Sequence, residues 1–191
     1  MNTKLKQVLI TGLVAMGLGV LGSRTADAKQ PDTMRLSVTP TGQIYSVVIT
    51  SVNGNGYEFG NVGIGATTVS TAAITVANTG GSNISEYFGM QVSNSSPDNW
   101  APQTGAPGAD QFRLIGEFAA TQPVETSGFD TGNAITGTFP VNAGSLYGQA
   151  ATPTNVGASK LLWLQLEMPT ALNTGTGGAQ TMTLYIQGQS S

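Results

Sequence analysis

The sequence contains neither histidine nor cysteine among its 191 residues. Without histidine a Ser-His-Asp triad is excluded, and without either residue the usual zinc-ligand clusters are excluded as well. The absence of cysteine also rules out disulfide bonds and a lipid anchor attached to cysteine. Stability therefore has to come from a packed core and from strand pairing.

Charge is scarce too, because Asp, Glu, Lys and Arg make up 9% of the chain, where ordinary soluble domains have about 25%. After residue 28 there are four basic and nine acidic residues, which gives a net charge of −5. The sequence has no basic patch, so nucleic acid is not an expected partner. It also has no basic amphipathic stretch, so binding to an anionic membrane is not expected. Low charge combined with regularly spaced apolar residues also argues against disorder.

The first 28 residues have the organisation of a secretory signal peptide. Lys4 and Lys6 precede an uncharged apolar run over 8–21, and an A-x-A cleavage pattern ends at Ala28. The run is shorter than the roughly 20 residues that a membrane-spanning helix needs. We therefore expect cleavage after Ala28, no membrane embedding of the mature chain, and a location in the extracellular space, at the cell surface or in the periplasm.

Residues 29–191 show the two-residue alternation of apolar side chains that is typical of β-strands. Turn-forming residues separate the alternating segments, and no segment after residue 28 has a helical period. This pattern predicts a single all-β domain, an antiparallel β-sandwich of about seven to nine strands. The predicted strands are 34–38, 43–50, 57–65, 69–77, 86–92, 111–118, 161–168 and 180–187.

One long stretch, residues 119–159, has little regular alternation apart from a short candidate strand around Ile135 and Phe139. Structureless loops of this length are rare in compact domains. We interpret the stretch as an insertion, which either forms its own hairpin or carries a functional elaboration.

Residues 57–81 read YEFGNVGIGATTVSTAAITVANTGG. This segment resembles the immunoglobulin-like domains of the ASPM–SPD-2–Hydin and choice-of-anchor type that occur in bacterial secreted proteins. The resemblance implies an immunoglobulin-like sandwich over 29–191 that serves as a spacer, scaffold or protein-binding module, with no catalytic residues to carry over. The matching motifs are FGNV at 59–62, GAT at 65–67, AITV at 73–76 and NTG at 78–80.

Candidate catalytic and metal-binding groups are thinly spread along the chain. No spacing brings two of the carboxylates together as an acid–base pair. We therefore predict a protein that is not an enzyme and that has no cofactor and no metal site. Asp98 and Asp130, each close to an asparagine, are interpreted as turn formers rather than calcium ligands. The carboxylates considered were Glu117, Glu125, Asp130 and Glu167.

Trp100 and Trp163 are the candidate ligand-binding aromatics, because exposed rings can stack on sugars. Trp100 lies in a polar loop, and Trp163 points to the face opposite Leu162 and Leu164. A glycan-binding module is therefore the alternative function. The competing interpretation, which we favour, is that the insertion covers Trp163.

A second candidate interface is the predicted strand near the amino terminus of the mature chain. Met34, Leu36 and Val38 alternate with polar residues, and the turn 40–42 follows. Such a strand either completes its own sheet or adds to the edge of a neighbouring copy. Taken together, these features predict a secreted, non-enzymatic structural or assembly module whose partners are copies of itself, other surface proteins or a glycan.

Overall fold

The computed structural model describes residues 32–33, 47–50, 56–80, 84–124, 127–141, 143–144, 146–148, 152–175 and 178–190. Within these ranges the chain forms ten strands and a single 3-10 turn, Thr131–Asn133, so the prediction of an all-β fold is confirmed. The signal peptide 1–28 and the candidate residues Met34, Leu36 and Val38 lie outside the described residues.

The strands form two sheets. The smaller sheet has the order β1-β10-β5; the larger has the order β2-β4-β9-β7-β6, with β3 beside β9 and β8 beside β7. The pair β6–β7 is parallel, and the other paired strands of the described chain are antiparallel. The strands are β1 (Asp32–Thr33), β2 (Val47–Thr50), β3 (Thr67–Val69), β4 (Ile74–Asn78), β5 (Glu86–Val92), β6 (Ala101–Pro102), β7 (Gln111–Phe118), β8 (Ala134–Ile135), β9 (Ser159–Glu167) and β10 (Leu184–Ser190).

The core lies between the two sheets, and the predicted alternation accounts for most of it. The rings of Phe88 on β5 and Phe118 on β7 pack across it with centroids 5.7 Å apart. Other alternating residues that are buried in the same cluster are Ile74, Val76, Met90, Val92, Phe112, Leu114, Leu162, Leu164, Leu166, Leu184 and Ile186.

Gly116 in β7 leaves no room for a side chain between the sheets. A Cβ at this position would lie 2.7 Å from Met90 Cε on the facing strand and 3.1 Å from Ile135 Cδ1. Real Cβ atoms do not approach carbon atoms so closely, so the missing side chain is what allows Met90 to fill this part of the core.

The predicted strand over 57–65 is wrong, because this segment contains no strand. Gly60 and Gly65 have positive φ values of 73° and 70°, which bend the chain out of the extended conformation. Tyr57 and Phe59 nevertheless pack against the edge of the core cluster.

The insertion 119–159 is folded into the domain. Its β8 pairs with β7, with Ile135 opposite Leu114, and Ile135 and Tyr147 join the core. The candidate strand does not extend beyond β8, since Val141 is fully exposed. The insertion therefore supplies both a short strand and core side chains.

Candidate functional site: a groove beside strand β10

A groove of about 930 Å³ lies between residues 56–64 on one side and residues 178–184 on the other. We call it the β10 groove, because residues 178–184 lead directly into β10. Apolar residues of the larger sheet and of the adjoining loops complete its lining: Trp100, Leu114, Leu164, Leu166, Met168 and Leu172. Glu58 is the single Asp, Glu, Lys or Arg among the described residues that line it.

The wall formed by residues 56–64 is held in place by its two aromatic residues. The rings of Tyr57 and Phe59 meet edge to face, with centroids 4.9 Å apart. The hydroxyl oxygen of Tyr57 accepts a hydrogen bond from the backbone N of Thr71 at 2.7 Å. These contacts position a segment that has no strand pairing of its own.

The opposite wall is attached to the chain that follows β5. Thr181 N donates to Ser96 O at 2.8 Å, and Thr183 O accepts from Ser93 N at 2.9 Å. Because successive residues of an extended chain direct their main-chain groups to opposite edges, those of Met182 point away from β5. Neither N nor O of Met182 has a backbone hydrogen bond to any residue that the structure describes.

β1 lies on the same edge of β10 as the main-chain groups of Met182. Asp32 is opposite Ile186 and Thr33 is opposite Tyr185 in an antiparallel pair. Thr33 is the last described residue of β1, and residues 34–46 lie outside the described residues. The edge of β10 is thus paired at one end and borders the groove at the other.

The two tryptophans that were candidate ligand-binding residues lie in different environments. Trp100 is 2% exposed, so neither ring face is available for stacking. It lines the β10 groove, and its indole Nε1–H is buried with no hydrogen-bond partner among the described residues. An unsatisfied buried donor of this kind is costly and favours a partner that brings an acceptor.

Trp163 is half-buried on the other face of β9, away from the core cluster. Its Nε1–H donates to Ala119 O at 3.1 Å, which ties it to the start of the insertion. Every aromatic side chain of the described residues is at least partly buried, so the described surface offers no open platform for stacking.

Two of the candidate carboxylates have specific partners. Glu167 forms an ion pair with Arg113 at 2.6 Å. Glu117 Oε2 accepts from Asn133 Nδ2 at 2.7 Å. Burial raises the pKa of Glu117, against the opposing hydrogen bonds from Asn133 and from the backbone of Asp130.

Asp130 itself caps the 3-10 turn by accepting from Gly132 N, as expected of a turn former. Across the described ranges, no three Asp or Glu residues are placed to hold a metal ion. Glu125 lies outside the described residues.

Neither protein-family models, nor curated proteins, nor solved structures gave a match to this chain. No helix in the described part of the chain has the length and apolar character needed to cross a membrane.

Sequence reasoning could not predict that residues 56–64 and residues 178–184 line the same groove. Alternation over 180–187 predicts that Met182, Leu184 and Ile186 share the core-facing side; Met182 does pack against the core cluster, although β10 begins only at Leu184. The available signal was the Gly-rich composition of 56–65, which marks a segment unsuited to strand pairing.

Proposed function

We propose that this chain is an exported, non-enzymatic structural module of the cell surface or extracellular matrix, which assembles with copies of itself through the edge of β10. The observation that carries the proposal is the main chain of Met182, which has no backbone hydrogen bond to any described residue and lies beside an apolar groove. An exposed edge with unpaired N–H and C=O groups is a template for adding another strand.

The surrounding surface does little to prevent such pairing. Soluble proteins commonly protect edge strands with lysine, proline or inward-pointing charges. Residues 178–184 (GAQTMTL) contain none of these, and Lys29 and Lys160 are the only lysines after the predicted signal peptide. A net charge of −5 also produces little repulsion between copies.

The proposed immunoglobulin-like identity agrees with a two-sheet sandwich used as a building block, and the engaged carboxylates support a non-enzymatic role. Glu167 is neutralised by Arg113, and Glu117 is held by Asn133. Glycan binding stays a prediction, because no aromatic side chain in the described ranges is exposed enough to support it.

The test is the association state of residues 29–191, measured by sedimentation velocity and light scattering over a wide concentration range. We expect oligomers or filaments whose circular dichroism remains that of a β protein. Met182→Lys should dissociate them, because it places an ammonium group against the apolar lining. Val141→Lys is the matched control, since Val141 is fully exposed and does not line the groove.

A wild-type chain that stays monomeric at every concentration would refute the proposal. So would equal loss of association in the two lysine variants, since the effect would then follow from added charge rather than from the groove.

A further inference from the structure

We propose that the β10 groove is a binding site for an uncharged apolar molecule that carries a hydrogen-bond acceptor, such as the carbonyl oxygen of a long-chain ketone or ester. This inference goes beyond the proposed self-assembly and does not depend on it. It rests on the volume of the groove, on the residues buried in its lining and on the indole N–H of Trp100.

The volume of the groove is that of a small-molecule site. Ligand pockets in proteins enclose roughly 300–1,000 Å³ and are lined mainly by apolar side chains, with a few polar groups that orient the ligand. The β10 groove, at about 930 Å³, lies within this range, and two separate segments of the chain form its walls. It therefore has room for a molecule of this size class.

The wall formed by residues 56–64 leaves part of this space open. A Cβ atom built on Gly60 or on Gly63 would meet no atom of the described residues within 4 Å. Both glycines line the groove. The wall is thus without side chains at two positions where side chains would have room to extend.

The buried part of the lining is apolar with one exception. Among its described residues, the buried ones are Trp100, Leu114, Leu164, Leu166 and Leu184. The only polar side-chain group that they contribute is the indole N–H of Trp100. This N–H has no hydrogen-bond partner among the described residues, although Trp100 is only 2% exposed.

Water is a poor partner for this donor. A buried water molecule is typically held by two to four hydrogen bonds, whereas the side chains buried in the lining offer one donor and otherwise leucines. A ligand with a carbonyl oxygen satisfies the indole N–H and places its hydrocarbon part against the leucines. The lining therefore favours a molecule that is apolar over most of its length and carries an acceptor.

The charge of the groove selects against acids. Glu58 is exposed and is the single Asp, Glu, Lys or Arg in the described lining, so no cation is available there to pair with a carboxylate or a phosphate. A carboxylate would have to leave water without a counter-charge, which is costly. The preferred ligand is therefore neutral rather than a fatty acid.

Displacement of a fluorescent probe tests the site. The mature protein, residues 29–191, is loaded with N-phenyl-1-naphthylamine, which is uncharged and apolar. It is then titrated with 2-decanone, decane and decanoate, which have the same chain length. We expect saturable displacement by 2-decanone and by decane, and weaker displacement by decanoate.

Trp100→Phe isolates the contribution of the indole N–H, because it keeps an aromatic ring in the lining and removes the donor. The preference for 2-decanone over decane, expressed as the ratio of their Kd values, should fall at least about fivefold, as expected for one neutral hydrogen bond. Trp163→Phe is the matched control, since Trp163 lies on the other face of β9, and it should keep the wild-type ratio.

A second measurement needs no change at Trp100. In the wild type, the indole N–H resonance of Trp100, assigned by comparison with Trp163→Phe, should move downfield with 2-decanone and not with decane. Such a shift shows directly that the donor has gained an acceptor. This measurement decides the outcome if circular dichroism shows that Trp100→Phe does not fold.

Three results would each overturn the inference: no saturable displacement, an indole resonance that 2-decanone does not move, or an unchanged ratio in a folded Trp100→Phe protein. Decanoate that binds as tightly as 2-decanone would overturn the neutral class of ligand. None of these results bears on self-assembly, which sedimentation velocity measures without any ligand.

Discussion

Tyr147 shows how one residue of the insertion is built into the core. It is 2% exposed, and its backbone N donates to Asn133 Oδ1 at 2.7 Å. Its φ of +61° is unusual for a bulky residue, so the surrounding contacts have to maintain it. Its hydroxyl lies 3.5 Å from Met90 O, which is a long hydrogen bond.

This environment predicts a stability loss at alkaline pH. Burial raises the pKa of Tyr147 from 10.0 to about 12. Above pH 10 the unfolded chain releases the phenolic proton while the folded chain keeps it, so unfolding becomes easier as the pH rises towards 12. The two-unit difference corresponds to about 2–3 kcal/mol. Urea unfolding of the wild type and Tyr147→Phe at pH 8, 10 and 11.5 measures it.

By pH 11.5 the alkaline loss in Tyr147→Phe should be smaller by about 2 kcal/mol, because no phenol is left to ionise and the full difference develops only above the folded pKa. At pH 8 the variant should stay within about 1 kcal/mol of the wild type, since a 3.5 Å hydrogen bond contributes little. Parallel pH profiles for the two proteins would contradict the assigned burial.

Among the secondary-structure elements, the 3-10 turn and β8 determine how the insertion is attached. Asn133 is 6% exposed and joins three parts of the chain: the turn itself, Glu117 on β7 and Tyr147 further along. Gly148 adds a second attachment, because it lies against Glu117 and forms a parallel bridge with Phe118. A small number of polar contacts thus orders a stretch without alternation.

Asn133→Ala should therefore destabilise the domain by about 2 kcal/mol. The substitution leaves the buried N–H of Tyr147 without its acceptor and removes a donor from Glu117. Asn155→Ala is the control, because Asn155 is exposed and its side-chain bond to Ser85 is at the surface, so a change within about 0.5 kcal/mol is expected. Urea unfolding measures both; equal losses would argue against Asn133 as the anchor.

The whole molecule combines an all-β fold with very few charges and no cysteine. Within the described residues its sheets are unequal, since one has three strands and the other seven. The β10 groove opens where residues 56–64, rather than a strand, complete the lining. Self-assembly and export are linked in this proposal, because an open strand edge is a hazard in the crowded cytoplasm.

Export predicts a defined amino terminus. Protein isolated from the native cells should lack residues 1–28 and begin at Lys29, because the A-x-A pattern ends at Ala28. Intact-mass spectrometry with amino-terminal peptide mapping measures this directly. Ala28→Leu provides the comparison, since a large side chain at the cleavage position should slow processing. Full-length chain retaining Met1 in the cytoplasm would contradict both the compartment and the proposed role.

Much of the fold follows from local pattern. Alternation along 86–92, 111–118 and 161–168 places one set of side chains on a single face, and the cost of leaving those side chains in water directs that face inward. The lack of a helical period and the lack of His and Cys are likewise visible in the sequence alone. These properties depend on residue type and nearest neighbours alone.

Other features depend on which distant segments meet. Ile115 falls on the outward face of β7 by alternation yet is 0% exposed, and Trp100 lies in a polar loop yet is buried. The β10 groove joins residues 56–64 to residues 178–184, more than a hundred positions apart. Such contacts are selected by the packing of the whole chain, because burial depends on which surfaces compete for the same space, and no local pattern encodes that outcome.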